Sequence, residues 1–139
     1  MSKKNEYKTK LRIYYEDTDA GGIVYHSKYL NFAERARTEF LRDKKIEQNT
    51  LIEKYGIIFV VKSLKIEYLS AARLDDIISI KTKIHDLNKV KVDFEHLIFK
   101  RNTTLAKIRV RVCCVNKNKK ICRMNDKVYA TLKIGKENL

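Results

Sequence analysis

The sequence predicts an α+β fold: a curved antiparallel sheet of about five to six strands wrapped around one long helix, in a single domain covering residues 1–139. Three observations lead there. Only one long segment repeats its apolar residues at spacings of three and four. The segments after it alternate with period two or run apolar over strand lengths. A lone amphipathic helix must bury its stripe against something, and the sheet is the only partner this pattern offers. Such a sheet leaves at least one edge unpaired, which invites pairing with a second copy.

Each element follows from local pattern. Residues 10–16 read as a first strand, with Leu11, Ile13 and Tyr15 alternating against Arg12 and Tyr14. Residues 17–22 are rich in Asp and Gly and read as a turn. The helix spans residues 27–45. Tyr29, Ala33, Ala36 and Phe40 form its stripe, Leu30 and Leu41 widen it, and Ser27 stands where an N-cap belongs. A short helical piece over residues 50–54 stops at Gly56. Strands follow over residues 57–69, 77–85, 90–100, 105–115 and 127–134. In the first of these, Leu64, Ile66 and Tyr68 point inward and Lys65 and Glu67 outward. Two short polar connections, residues 86–89 and 101–104, have hairpin length. The chain has no proline and only four glycines, so most turns rest on Asn, Asp and Lys.

Composition narrows the function classes. No apolar stretch is long enough to span a bilayer. The first residues carry charge with no apolar run behind them, which argues against a secretory leader and for the cytoplasm. The three cysteines, Cys113, Cys114 and Cys122, form no Cys-x-x-Cys pair. They read as inert thiols, with no metal site expected. Lys plus Arg number 31 against 17 Asp plus Glu, a net charge of +14. That excess attracts polyanions without choosing among them. Neither an RNP-like aromatic run nor zinc-finger spacing is present, so nucleic acid is not the expected partner.

The chemistry concentrates in Tyr14-Tyr15-Glu16-Asp17-Thr18-Asp19-Ala20-Gly21-Gly22-Ile23-Val24-Tyr25-His26. Three carboxylates within four positions exceed what a turn requires, and crowded carboxylates raise one another's pKa. A helix begins just after, and its first amides lack intrahelical partners and carry the positive end of the dipole. Amides near Tyr25 and His26 could hold a carbonyl oxygen as it gains charge. A carboxylate beside them could attack that carbonyl or activate water. A functionless acidic turn and a packed or capping His26 are the plain alternatives. Asp17 reads as a residue that caps or orients the turn, and Glu34 as a surface ion-pair partner, with a role in the site as its alternative.

This run, continued by Lys28-Tyr29-Leu30 and Glu34-Arg35-Ala36-Arg37-Thr38-Glu39, closely resembles the YbgC-like acyl-CoA thioesterases of the 4-hydroxybenzoyl-CoA thioesterase group. Phe59-Val60-Val61-Lys62, Glu67-Tyr68 and Ala71-Ala72-Arg73-Leu74-Asp75-Asp76 are similar to the same family's central segments. The resemblance implies the hotdog fold and hydrolysis of acyl-CoA without cofactor or metal. It implies sites at the interface of a homodimer, commonly doubled to a homotetramer. Asp19 matches the family's catalytic carboxylate, nucleophile or general base, with Tyr15 and His26 lining the same site. Tyr25, Val61, Lys62 and Arg73 are the expected substrate contacts, Lys62 or Arg73 meeting the nucleotide phosphates. Where the family often has proline, this chain has Ala72. The resemblance also implies an association with the Tol–Pal cluster and with acyl carrier protein, and peripheral contact with the membrane. A hotdog dehydratase and a basic nucleic-acid- or carrier-protein-binding module without catalysis are the rival readings.

Overall fold

The structure, a computed structural model, describes residues 7–137. The leading segment on which the absence of a leader was argued lies outside the described residues. Strand β1 (Tyr7–Arg12) leads through a 3-10 turn at Tyr15–Asp17 to helix α1 (Lys28–Asp43). A one-turn helix α2 (Gln48–Thr50) and a π-turn (Leu51–Tyr55) follow. Then come β2 (Ile58–Tyr68), β3 (Ile77–Leu87), β4 (Lys91–Lys100), β5 (Thr103–Val115) and helix α3 (Asp126–Glu137). The five strands form one antiparallel sheet in the order β1-β3-β4-β5-β2. The fold is the α+β hotdog arrangement expected, a sheet curled around α1.

Helix α1 buries Tyr29, Phe32, Ala33, Ala36, Phe40 and Leu41 against the inner face of the sheet. Phe40 meets Tyr7 of β1 and Phe94 of β4 edge-on, with ring centroids 6.1 and 5.7 Å away. The inner face answers with Ile78, Ile80 and Ile84 from β3 and Ile108 and Val110 from β5. Each such side chain contributes about 1.5–3 kcal/mol on leaving water. Gly56 ends the π-turn in the left-handed region, at φ +65°, where other residues are strained.

The structure corrects two strands. The first lies over Tyr7–Arg12, earlier than expected, and Tyr15 is 83% exposed, not inward. Asp17 accepts the Tyr14 amide at 2.9 Å and folds the chain into the 3-10 turn, which ends the alternation. Residues 127–134, expected as a strand, are helical. Asn125 Oδ1 accepts the amides of Lys127 (2.8 Å) and Val128 (3.3 Å), an N-cap that nucleates α3. Val128 and Leu132, one turn apart, then enter the core together. Ser27, though it precedes α1, makes no side-chain cap bond.

One polar chain crosses the core. His96, fully buried on β4, lies 2.9 Å by Nδ1 from Thr82 Oγ1 on β3 and 3.4 Å by Nε2 from Arg37 on α1. Arginine can only donate, so Nε2 accepts and the ring proton sits on Nδ1, aimed at Thr82. Burial, and then the Arg37 charge, press the His96 pKa down from 6.5 to about 3. The unfolded chain takes up a proton in that window that the folded chain refuses. Stability is therefore full above about 6.5 and falls as pH drops toward about 3. Urea unfolding should show the parent losing stability between about pH 7 and about pH 5, and His96→Gln losing clearly less across the same interval. Equal slopes for the two proteins would mean that another group sets the dependence.

Candidate active site

The segment from Asp17 to His26 is a tight loop closed on itself. The Asp19 amide donates to Ile23 O (2.9 Å), the Gly22 amide to Asp19 O (3.0 Å), and the Tyr25 amide to Asp17 O (2.9 Å). Gly22 has φ +80°, which admits a glycine without strain. A second set of bonds fixes the loop to the sheet end. Val24 donates to Ala72 O at 2.9 Å, Ile23 bridges Arg73, and the Ala72 amide donates to Tyr29 Oη at 3.1 Å. That last bond needs an N–H that proline lacks, so the departure at Ala72 adds an anchor for α1. Tyr68, at the end of β2, donates to His26 O at 2.8 Å and packs edge-on against Tyr29.

The two aspartates are placed differently. Asp17 is buried, and its carboxylate is occupied by the Tyr14 amide. Asp19 is exposed; Oδ1 accepts the Gly21 amide at 2.8 Å, and Oδ2 has no partner among the described residues. The helix start also divides. The Tyr25 amide is committed to Asp17 O, whereas the His26 amide has no acceptor among the described residues. Of the two amides expected there, His26 is the one left for a ligand. The exposed rings of Tyr25 and His26 lie 4.4 Å apart beside it.

One protomer thus brings together Asp19, Tyr25, His26 and Arg73, with Tyr15 on the adjoining 3-10 turn. It does not bring in Val61 and Lys62. Tyr68 touches the helix start, and Val61 stands seven residues earlier on the same strand, about 20 Å away at the rise of a β-strand.

Val61 instead lines a cavity of about 340 Å³ between α1 and the inner face of β2 and β5. Its floor is apolar, from Phe59, Leu64 and Val110, and its α1 wall is polar, from Asn31, Glu34 and Arg37. Burial lowers the Arg37 pKa, partly offset by Glu34. The sequence reading missed Arg37 and His96. The one available signal was His96 at an inward position between Phe94 and Ile98 in β4. Among the described residues no group of His, Cys, Asp and Glu could hold a metal ion. No helix there is long and apolar enough to cross a membrane.

The fold is shared with solved thioesterase structures: a probable thioesterase from Bartonella henselae superposes with a TM-score of 0.83 at 32% identity, covering 86% of this chain and 99% of that one. The family model described as the thioesterase-like superfamily matches residues 14–132. Acyl-CoA thioesterase YbgC of Haemophilus influenzae is 44% identical over 115 residues, 83% of this chain and 85% of that protein. Its namesake in Helicobacter pylori is 39% identical over 101 residues, 72% and 73%. The chain belongs to the thioesterase-like superfamily, in the group of the YbgC acyl-CoA thioesterases.

The placements of Asp17 and Asp19 give distinct expectations. Asp17→Ala leaves the part-buried Tyr14 amide without its acceptor and should cost about 1 kcal/mol in urea unfolding. Asp19→Ala, at an exposed position, should change stability by less than about 0.5 kcal/mol.

Proposed function

We propose that this chain hydrolyses acyl-CoA thioesters to free acid and CoA, with Asp19 as the reacting carboxylate and the His26 amide as the group that polarises the thioester carbonyl. The observation that carries the reading is the pairing on one loop of a carboxylate oxygen without a partner and a helix-start amide without an acceptor. Relatives named acyl-CoA thioesterases support the substrate class.

The carbonyl oxygen, drawn to the helix start, gains negative charge in the tetrahedral intermediate, where an N–H and the helix dipole stabilise it most. Asp19 Oδ2 either adds to the carbonyl carbon, giving an anhydride that water opens, or takes a proton from a water that adds in its place. The C–S bond breaks in either case. CoA leaves as a thiolate, which needs no strong general acid. Tyr15 and the His26 ring, both exposed on the segments flanking Asp19, would border the bound thioester, and Tyr25 would cover it.

The site is completed by a second copy. β2 is an edge strand, and Val61, Leu64, Tyr68 and neighbouring Leu69 are exposed. An apolar free edge is a template for pairing. Antiparallel pairing of β2 with its twofold mate sets the Val61–Lys62 end of one strand beside the Tyr68 end of the other. Val61 and Lys62 of one copy would then reach the Asp19 loop of its mate, with Lys62 or Arg73 meeting the CoA phosphates.

Asp19→Asn keeps the shape and removes the basic oxygen. Hydrolysis of an acyl-CoA panel should fall by about 100-fold or more with an unchanged unfolding midpoint; parental rates would dismiss the role of Asp19. Leu64→Lys, on the exposed inner face of β2, should move the protein to monomer size by light scattering and abolish turnover while retaining the parental circular dichroism. A fully active monomer would refute the shared site.

A further inference from the structure

The cavity between α1 and the sheet contains a cation with no anion beside it. Arg37, half-buried on the α1 wall, makes one hydrogen bond among the described residues, from Nη1 to His96 Nε2 at 3.4 Å. His96 is uncharged, with its pKa pressed down to about 3, so it offers a lone pair and no charge. Thr82, 2.9 Å from Nδ1, fixes the tautomer that aims this lone pair at Arg37. Thr82 and His96 thereby hold the guanidinium in the cavity. Its Nη2 and Nε donate to nothing, and no carboxylate stands within ion-pair distance of it, among the described residues. A half-buried cation left in this way carries a desolvation cost that an anion would offset. The planar fork of a guanidinium matches a carboxylate with two parallel hydrogen bonds.

The surroundings restrict what that anion can be. Phe59, Leu64 and Val110 make the floor apolar, so the ligand needs an apolar body leading to its charged end. A volume of about 340 Å³ lies near the lower limit of about 300–1,000 Å³ usual for ligand pockets, which favours a short body. Glu34 is the one acid in the lining and opposes an anion. It is exposed, beyond ion-pair distance of Arg37, and solvent screens it more than the half-buried guanidinium.

We infer that this cavity receives the far end of an acyl group that terminates in a carboxylate, with Arg37 as the residue that sets this specificity. The substrate class is then CoA monothioesters of short dicarboxylic acids. The inference deepens the hydrolase reading and, for its substrate, rests on it. Val61 lines the cavity and also stands at the strand end that would reach the Asp19 loop of the mate. An acyl chain held at that loop therefore runs toward Arg37 of the copy across the interface. A chain ending in a methyl group would leave the guanidinium unpaired, and a polar group stranded by the wrong substrate is what discriminates most strongly between substrates.

The test compares hydrolysis of succinyl-, glutaryl- and adipyl-CoA with that of unbranched saturated acyl-CoAs of matching length. At least one carboxyl-terminated substrate should exceed its match by about tenfold or more in kcat/KM. Arg37→Met should bring that ratio down to about one or below. Arg37→Lys, which keeps the charge and loses the fork, should retain part of it and serves if Arg37→Met does not fold. Glu34→Gln should raise the ratio, a change that a merely structural Arg37 would not produce. Hydrolysis with no preference for any carboxyl-terminated substrate would overturn the inference. A second arm reads the cavity without turnover: hexanoate should raise the melting temperature of the parent more than hexanamide does, and Arg37→Met should abolish the difference. If no acyl-CoA is cleaved and this Arg37-dependent shift is present, the hydrolase reading fails and the carboxylate site stands. If neither cleavage nor shift is seen, both fail.

Discussion

Tyr29, Phe32, Ala36 and Phe40 press α1 into the inner side of the sheet, and the rest of the protomer is arranged around that contact. A helix of 16 residues locked along β1, β3 and β4 has its first turn fixed at one end of the sheet. The chain must reach that point from β1 within a short loop. Tyr29 binds the Ala72 amide, Val24 binds the Ala72 carbonyl and Tyr68 binds the His26 carbonyl. The position of the helix start is thus a consequence of core packing. The loop that feeds it is tied to the core through those three bonds.

The same contact explains why part of the sheet stays exposed. α1 covers β1, β3 and β4 but leaves the inner face of β2, beyond β5, partly bare. The residues there are as apolar as the covered ones. Leu64 and Tyr68 sit in register with Val110 and Ala106, which are buried, yet both stay exposed. An inward position on an edge strand beyond the reach of the helix has nothing of its own chain to bury against. A hydrophobic cavity with a polar helical wall is the geometric residue of that mismatch.

Much of this was legible in the sequence, for unequal reasons. The spacing of Tyr29, Ala33, Ala36 and Phe40 located α1 within two residues at each end, and the strands from residue 57 to 115 followed from alternation and short polar turns. Residues 127–134 misled because Val128, Ala130, Leu132 and Ile134 alternate while Val128 and Leu132 also sit one helical turn apart. Asn125, as a cap, decided between the two, and a single Asn among many is a weak signal in a lysine- and asparagine-rich stretch. Tyr15 misled because a carboxylate two residues on, Asp17, folds back onto the Tyr14 amide. The acidic loop was visible as a motif, but which of its groups are spent on structure was not. That depends on who accepts from whom across the turn. Nor could the sequence show Arg37 and His96 meeting, since that contact needs the crossing of α1 over β4.

The division of labour between the two aspartates follows from an accounting of backbone amides. A loop that turns into a helix has more donors than acceptors, because the first helical amides have no carbonyl behind them. Asp17 reduces that excess twice: its carboxylate takes the Tyr14 amide and its carbonyl takes the Tyr25 amide. The next donor, His26, falls beyond its reach. Asp19 spends one oxygen on Gly21 and keeps the other. Two residues of the same type, two positions apart, therefore finish in opposite roles. The inner one takes up two of the loop's donors, the His26 amide stays without an acceptor among the described residues, and the outer one stands on the same loop with an oxygen to spare. Had Asp17 been the residue facing solvent, the Tyr14 and Tyr25 amides would have lost their acceptors and joined His26 as unsatisfied donors at the helix start.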